Sequence, residues 1–246
     1  MDRNFRERLQ DYDLSEAGSK REYNRRLFAV VAGRYDAVTT VLSFGGDRRW
    51  KRYLVGSLPR EGVRDALDIA CGTGDLTYAV AAHCPEARVS GVDLTPEMIQ
   101  RARRLWRGFE AMIAFEIGDM GALPYESDRF DLVTAGYALR NAPDLEATIA
   151  EIYRVLAPGG HLGILDFSHA DSPGMASMQI GLLRLWGRIW GKLLHGNPEV
   201  YGYISESLKR FPSRKGLEDK LRQAGFRGVR SRAFFLGIIA VTFARK

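Results

Sequence analysis

The sequence predicts an α/β protein: a doubly wound, seven-stranded, mostly parallel sheet with an antiparallel last strand, preceded by N-terminal helices and carrying a helical insert. Three observations predict it. From Ala66 onward, short apolar runs alternate with amphipathic segments, the pattern of right-handed βαβ units. The first run ends in a Gly-x-Gly turn, Gly72-Thr73-Gly74. The last two runs are separated by Gly237 alone, too little chain for a crossover helix, so they pair antiparallel.

Each element follows in order. Residues 1–60 read as helical, with Arg25–Tyr35 and Asp47–Leu58 as the helices. Ala66–Ala70 is a strand and Asp75–Cys84 a helix. Arg88–Leu94 is a strand, and Pro96–Trp106 a helix with Pro at its first position and Thr95 as N-cap. Ile113–Asp119 is a strand, Met120–Arg129 a loop and Phe130–Leu139 a strand. Leu145–Leu156 is a helix closed by Pro158-Gly159-Gly160, and His161–Ser168 a strand. A helical insert runs from Met175 to about Arg210. Lys215–Ala224 is a helix ending at Gly225, and Val229–Leu236 and Ile238–Ala244 are the closing strands.

Composition excludes several classes. Apolar residues make up 46% and charged residues 27%, which rules out a disordered chain. No run approaches the ~18 apolar residues of a membrane span. Met1–Ser15 is too polar for a secretory signal, and Cys71 and Cys84 form no CxxC, which reads as reduced thiols in a cytoplasmic protein. The four histidines show no metal spacing, so no metal is expected. Net charge is +6 but uneven: Ser172–Lys246 holds 14 Lys/Arg against 4 Asp/Glu. That tail suits an anionic surface. No base-recognition module accompanies it, so nucleic acid is not expected as a partner.

The strand ends carry the site. Gly72 and Gly74 let the backbone turn sharply beneath a ligand, and the helix starting at Asp75 aims its N–H groups at it. Thr73 adds a hydroxyl, and Asp68 is placed to accept from an amino group. Position 77 is Thr, so the third glycine of a dinucleotide fingerprint is absent. Asp93, about 20 residues beyond the glycines, suits a ribose diol, with Leu94 beside it. Asp119 suits an adenine amino group and Met120 its ring face. Together these features fit S-adenosylmethionine better than a dinucleotide.

Further motifs give a resemblance. Tyr35-Asp36, Leu42-Ser43-Phe44-Gly45, Arg48, Trp50-Lys51-Arg52, Leu139-Arg140-Asn141, Tyr153 through Gly160, and Tyr203, Ser207, Phe211-Pro212 and Ala224-Gly225-Phe226 resemble the ubiquinone/menaquinone biosynthesis C-methyltransferases over residues 25–246. The resemblance implies a class I methyltransferase fold, S-adenosylmethionine as cofactor and methyl transfer to a ring carbon of a prenylated hydroquinone. It also implies that Arg140 and Asn141 face the substrate. Tyr35, Tyr137 and Asp47 are further catalytic candidates beside them. Arg140 stays protonated, so its part is to stabilise a phenolate and orient a water. The other partner in view for Arg140 is Asp144. The chain departs from the usual family residues at Thr39, Asp47 and Gly136-Tyr137-Ala138. A soluble phenol or amine as acceptor, or a non-catalytic scaffold, therefore stays open, as does the general base. His169 is read as structural.

Residues 1–60 form the cap or substrate segment. Residues 61–246 form the cofactor domain, with its insert over 172–210. Within the insert, residues 178–195 place Leu182, Leu185, Trp186, Ile189, Trp190 and Leu193 on one helical face, and Arg184, Arg188 and Lys192 on another. Such a helix lies on the inner face of an anionic membrane, lids the site or joins two copies in a homodimer.

Overall fold

The computed structural model describes residues 12–13, 16–31, 39, 43, 45–109, 112–195 and 202–246. Tyr35, Asp36, Leu42 and Phe44 lie outside these, as does the end of the helix expected over Arg25–Tyr35. That helix, α1 (Ala17–Val31), begins eight residues earlier than its apolar pattern suggests.

Seven strands form one sheet in the order β3-β2-β1-β4-β5-β7-β6. They are β1 (Asp65–Ile69), β2 (Arg88–Asp93), β3 (Ile113–Ile117), β4 (Phe130–Gly136), β5 (Leu156–Phe167), β6 (Arg227–Phe234) and β7 (Ile239–Arg245). The first five run parallel; β7 runs antiparallel to both β5 and β6. The expected reversal at the last strand is borne out. Helices α2 (Asp47–Gly56), α3 (Asp75–His83), α4 (Pro96–Leu105) and α5 (Leu145–Val155) flank the sheet. The central strands β1 and β4 are buried along almost their whole length, as helices on both faces require. Edge strand β3 alternates buried and exposed residues.

Several boundaries differ from expectation for local reasons. Strand β4 stops at Gly136 because Tyr137 takes φ 57°, turning the chain into a 3-10 turn, Leu139–Asn141. Pro158-Gly159-Gly160 does not separate helix from strand. It lies inside β5, where Gly159, at φ 82°, donates its N–H to the carbonyl of Lys246 at 3.0 Å. Thr95 occupies the N-cap position of α4, but its side chain makes no capping bond. Asp144 caps α5, its Oδ1 accepting from the N–H groups of Glu146 and Ala147 at 2.9 and 3.0 Å.

The insert is two helices, α6 (Pro173–His195) and α7 (Gly202–Arg210), followed by α8 (Arg214–Gln223). The expected apolar face of α6 divides. Gln179, Leu183, Gly187 and Gly191 make a narrow buried stripe, and Trp186 and Trp190 are half-buried. Leu182, Leu185, Ile189 and Leu193 point outward, Leu193 being 68% exposed, with Met175 and Met178 continuing the same surface. The β6–β7 turn adds Leu236, which is 81% exposed. Phe235 and Leu236 both take positive φ, 48° and 54°, a strained choice for large side chains. The turn is pinned by Gln179 Nε2 donating to the Leu236 carbonyl at 2.7 Å.

Candidate active site

Strand β1 delivers its chain into a turn of positive φ at Ala70, Gly72 and Gly74. A Cβ on Gly74 would sit 2.7 Å from the Phe115 ring and 2.8 Å from Trp106, so only glycine fits there. Trp106 braces the turn from behind. Its indole N–H donates to the Thr73 carbonyl at 2.9 Å, and Tyr78 stacks on its ring with centroids 4.2 Å apart. Thr73 is buried and, like Gly74, lies behind the cleft wall rather than in it.

Asp68 corrects an expectation. It does not reach the cleft. It is buried beneath the turn, where its two oxygens accept the hydroxyls of Thr77 at 2.7 Å and Thr134 at 2.8 Å. Burial pushes its carboxyl up to about 6 against those two donors. Thr77 occupies the place of the missing third glycine, so that substitution supplies the carboxylate's partner.

Asp93 does line the cleft. Its Oδ2 accepts the Gly72 N–H at 2.9 Å and its Oδ1 the Thr95 N–H at 2.8 Å. Each oxygen keeps a second lone pair, in a geometry set by the backbone on both sides. Burial raises its pKa, and the two N–H donors oppose that rise.

The cleft opens at the carboxyl ends of the strands. Leu94, Asp119 and Met120 line it with Asp93, as do Gly72, Gly136, Tyr137 and Asn141. Asp119 Oδ1 accepts the Gly121 N–H at 2.9 Å, and its Oδ2 pairs with Arg21 at 2.6 Å. Arg21, Asn24, Arg25 and Phe28 of α1 complete the wall. Arg21 and Asn24 precede the helix expected over Arg25–Tyr35, while Arg25 and Phe28 fall inside it with no motif that marks them as cleft residues. Asn24 was the available signal, an amide between the apolar positions Tyr23 and Leu27.

Arg140 is not at the surface and does not line the cleft. It is buried behind Asn141, its Nε 3.3 Å from Asp166 Oδ1, and its backbone N–H donates to Asp166 Oδ2 at 3.2 Å. One guanidinium nitrogen donates to Asn141 Oδ1 at 3.0 Å and to Ser207 Oγ at 3.3 Å. The amide of Asn141 in turn donates to the Tyr137 carbonyl at 2.9 Å. Arg140 therefore fixes the rotamer of a cleft residue from behind. Asp166 was missed; its signal was a single acid inside the apolar run Gly163–Phe167. Asp47 also stands outside the cleft wall, paired with Lys51 at 2.9 Å at the start of α2. His169 is tied by both ring nitrogens to the carbonyls of Ala170 and Phe211, each at 3.0 Å.

Helix α1 bonds to this corner. Asn24 Nδ2 donates to the Asn141 carbonyl at 2.8 Å and Lys20 Nζ to the Ala142 carbonyl at 2.5 Å. Burial lowers the Lys20 pKa to about 8, and the charges of Arg140 and Arg210 add to the shift. Asn24 Oδ1, the Tyr203 hydroxyl and Arg140 Nε are all buried here, Tyr203 beside the Asn24 amide and Arg140 Nε beside Asp166.

The model of the ubiE/COQ5 methyltransferase family matches residues 16–246. The chain belongs to that family. It is therefore a methyltransferase, and the family match spans the fold from α1 to β7. The chain is 38% identical to a demethylmenaquinone methyltransferase of Deinococcus radiodurans, over 87% of this chain and 88% of the relative. It is 33% identical to a ubiquinone/menaquinone biosynthesis C-methyltransferase UbiE of Desulfotalea psychrophila, over 90% and 89%. Among solved structures, a SAM-dependent methyltransferase of Thermotoga maritima superposes with a TM-score of 0.60 at 20% identity, covering 90% of this chain and 99% of that one, a likeness of fold.

Proposed function

We propose that this methyltransferase moves the methyl group of S-adenosylmethionine to a ring carbon of a prenylated hydroquinone in quinone biosynthesis. One observation carries the reading: Asp93, Asp119 and Met120 share a single cleft with Tyr137 and Asn141, so donor and acceptor sites adjoin. The names of the family's relatives support the acceptor class. The residues present fit the cofactor. Asp93 offers a lone pair on each oxygen to a vicinal diol, Asp119 an acceptor for an amino group, and Met120 an apolar face. The turn at Gly72 and the start of α3 offer N–H groups to a carboxylate. Thr73 and Asp68 act through that turn. When bound, S-adenosylmethionine supplies a methyl group already activated on a sulfonium.

The chain's own task is then alignment and charge. Asn141 presents its amide to an acceptor oxygen, held in place by Arg140 and Tyr137. Lys20, Arg140 and Arg210 outnumber Asp166 in this corner; burial is the first cause of the lowered Lys20 pKa, and the two arginine charges add to it. A ring hydroxyl bound there is favoured as the phenolate, which concentrates electron density on the ortho carbon.

Incubation with methyl-labelled S-adenosylmethionine and a demethylated prenyl quinol, beside a soluble phenol, tests the reading. Label on a ring carbon of the quinol is expected; label on oxygen or nitrogen, or turnover of the phenol alone, refutes it.

The outer face of α6 with Leu236 is proposed to meet an anionic bilayer, where a prenylated acceptor resides. Exposed aliphatic residues flanked by Arg188 and Lys192 support this, and no described helix is long and apolar enough to cross a membrane. Replacing Leu185, Ile189 and Leu193 by Ser is expected to abolish flotation with anionic liposomes. Unchanged flotation, or none by the parent, sinks the proposal.

A further inference from the structure

At the opposite end of the sheet from the cleft lies a second hollow, lined by Ser57, His161, Leu162, Arg230, Phe243 and Arg245 among others. It is built by three adjacent strands and the end of α2. The register sets His161 of β5 opposite Arg245 of β7, and Arg230 of β6 opposite Phe243 of β7. Arg230 lies over the Phe243 ring, 5.2 Å from its centroid. Arg245 is fixed by its Nε donating to the Gly159 carbonyl at 2.9 Å, which leaves its remaining N–H groups available at the rim. No carboxylate is among the lining residues.

Two guanidinium groups and an imidazole therefore converge with no counter-charge in the wall. His161 feels the result: burial lowers its pKa first, and the charges of Arg245 and Arg230 lower it further. Guanidinium pairs of fixed orientation match the oxygens of phosphate in two-point contacts. The hydroxyl of Ser57 and the imidazole add a donor each. None of these residues lines the cleft, and His161 and Phe167, at the two ends of the stretch of β5 that pairs with β7, are six residues apart, roughly 20 Å.

We infer that this hollow binds a phosphate-type anion, held by Arg230 and Arg245 with His161 as a third, protonatable donor. A soluble anion such as pyrophosphate is the favoured source. The exposed apolar face of α6 and Leu236 lies at the other end of the strands, so one flat bilayer does not reach both. A bound anion offsets the Arg245 and Arg230 charges that add to burial in lowering the His161 pKa. Binding is therefore coupled to proton uptake, and affinity rises as pH falls.

NMR titration of the whole protein with inorganic pyrophosphate tests this, with His161 assigned by comparison with His161→Gln. A saturable shift of the His161 signals is expected, with its pKa moving up on saturation. Arg230 is exposed on the edge strand, so Arg230→Gln is expected to keep the fold, checked by its thermal midpoint, and to weaken binding about tenfold. Absence of a saturable shift, or an equal shift in folded Arg230→Gln, overturns the site. Vesicles of phosphatidylglycerol and of phosphatidylcholine form the second arm. Capture of the anionic vesicles that is lost in Arg230→Gln, with pyrophosphate inert, overturns the soluble source and assigns the site to a lipid headgroup.

Discussion

Replacing Arg140 by Met separates a supporting role from a substrate-facing one. The substitution keeps much of the side-chain volume and removes the charge. It leaves Asp166, 3% exposed, without its ion-pair partner, and strips one donor from Asn141 and one from Ser207. Breaking a buried pair from one side costs about 3–5 kcal/mol. At ~2–4 °C per kcal/mol for a chain of this size, the midpoint falls by roughly 6–20 °C. The sign of the pH dependence follows from Asp166. Burial already raises its pKa, and Arg140 is the largest opposing influence. Without Arg140 the pKa rises further, so the folded state binds a proton that the unfolded state gives up. The variant's stability is therefore greatest in acid and falls as pH rises through the carboxyl's folded pKa, more steeply than the parent's. Urea unfolding between pH 5 and 8 measures both effects. Adding Asp166→Leu removes the orphaned charge and is expected to recover most of the loss, while activity assayed well below the midpoint stays low because Asn141 is no longer oriented. A single variant within about 1 kcal/mol of the parent at pH 8, or a double variant no better than the single one, refutes the assignment of Arg140 as a buried support.

Two further outcomes follow from the glycine turn. Asp68 has its carboxyl raised from 3.8 to about 6, so ionising it in the fold costs about 3 kcal/mol at ~1.4 kcal/mol per unit. That contribution is present below pH 4 and lost as pH rises to 6. Asp68→Asn is expected to flatten the parent's stability profile across that window; an unchanged slope in urea unfolding contradicts it. Gly74→Ala puts a methyl 2.7–2.8 Å from Phe115 and Trp106 at a φ of 87°. Loss of S-adenosylmethionine binding by calorimetry is expected, together with a change in Trp106 fluorescence, and retention of tight binding rules out the braced turn.

The sequence alone determined the sheet and the residues at its strand ends. Alternating apolar runs give βαβ units whatever surrounds them, and Gly237 between two runs gives the reversal at β7. Asp93, Leu94, Asp119 and Met120 were legible because strand ends of a parallel sheet open onto one crevice, so position along the chain implies position in the cleft. Tertiary structure decided what lies between elements. Whether Asp68 faces a ligand or two threonines depends on Thr134, 66 residues away, and on Thr77. Arg140 chose Asp166 of β5 over the nearby Asp144, which the start of α5 claims for its own N–H groups. Helix α6 buries its small residues and turns its leucines outward, because α7 packs on a narrow stripe that periodicity does not single out. Periodicity records which residues share a face. Only the packed chain decides which face meets a neighbour.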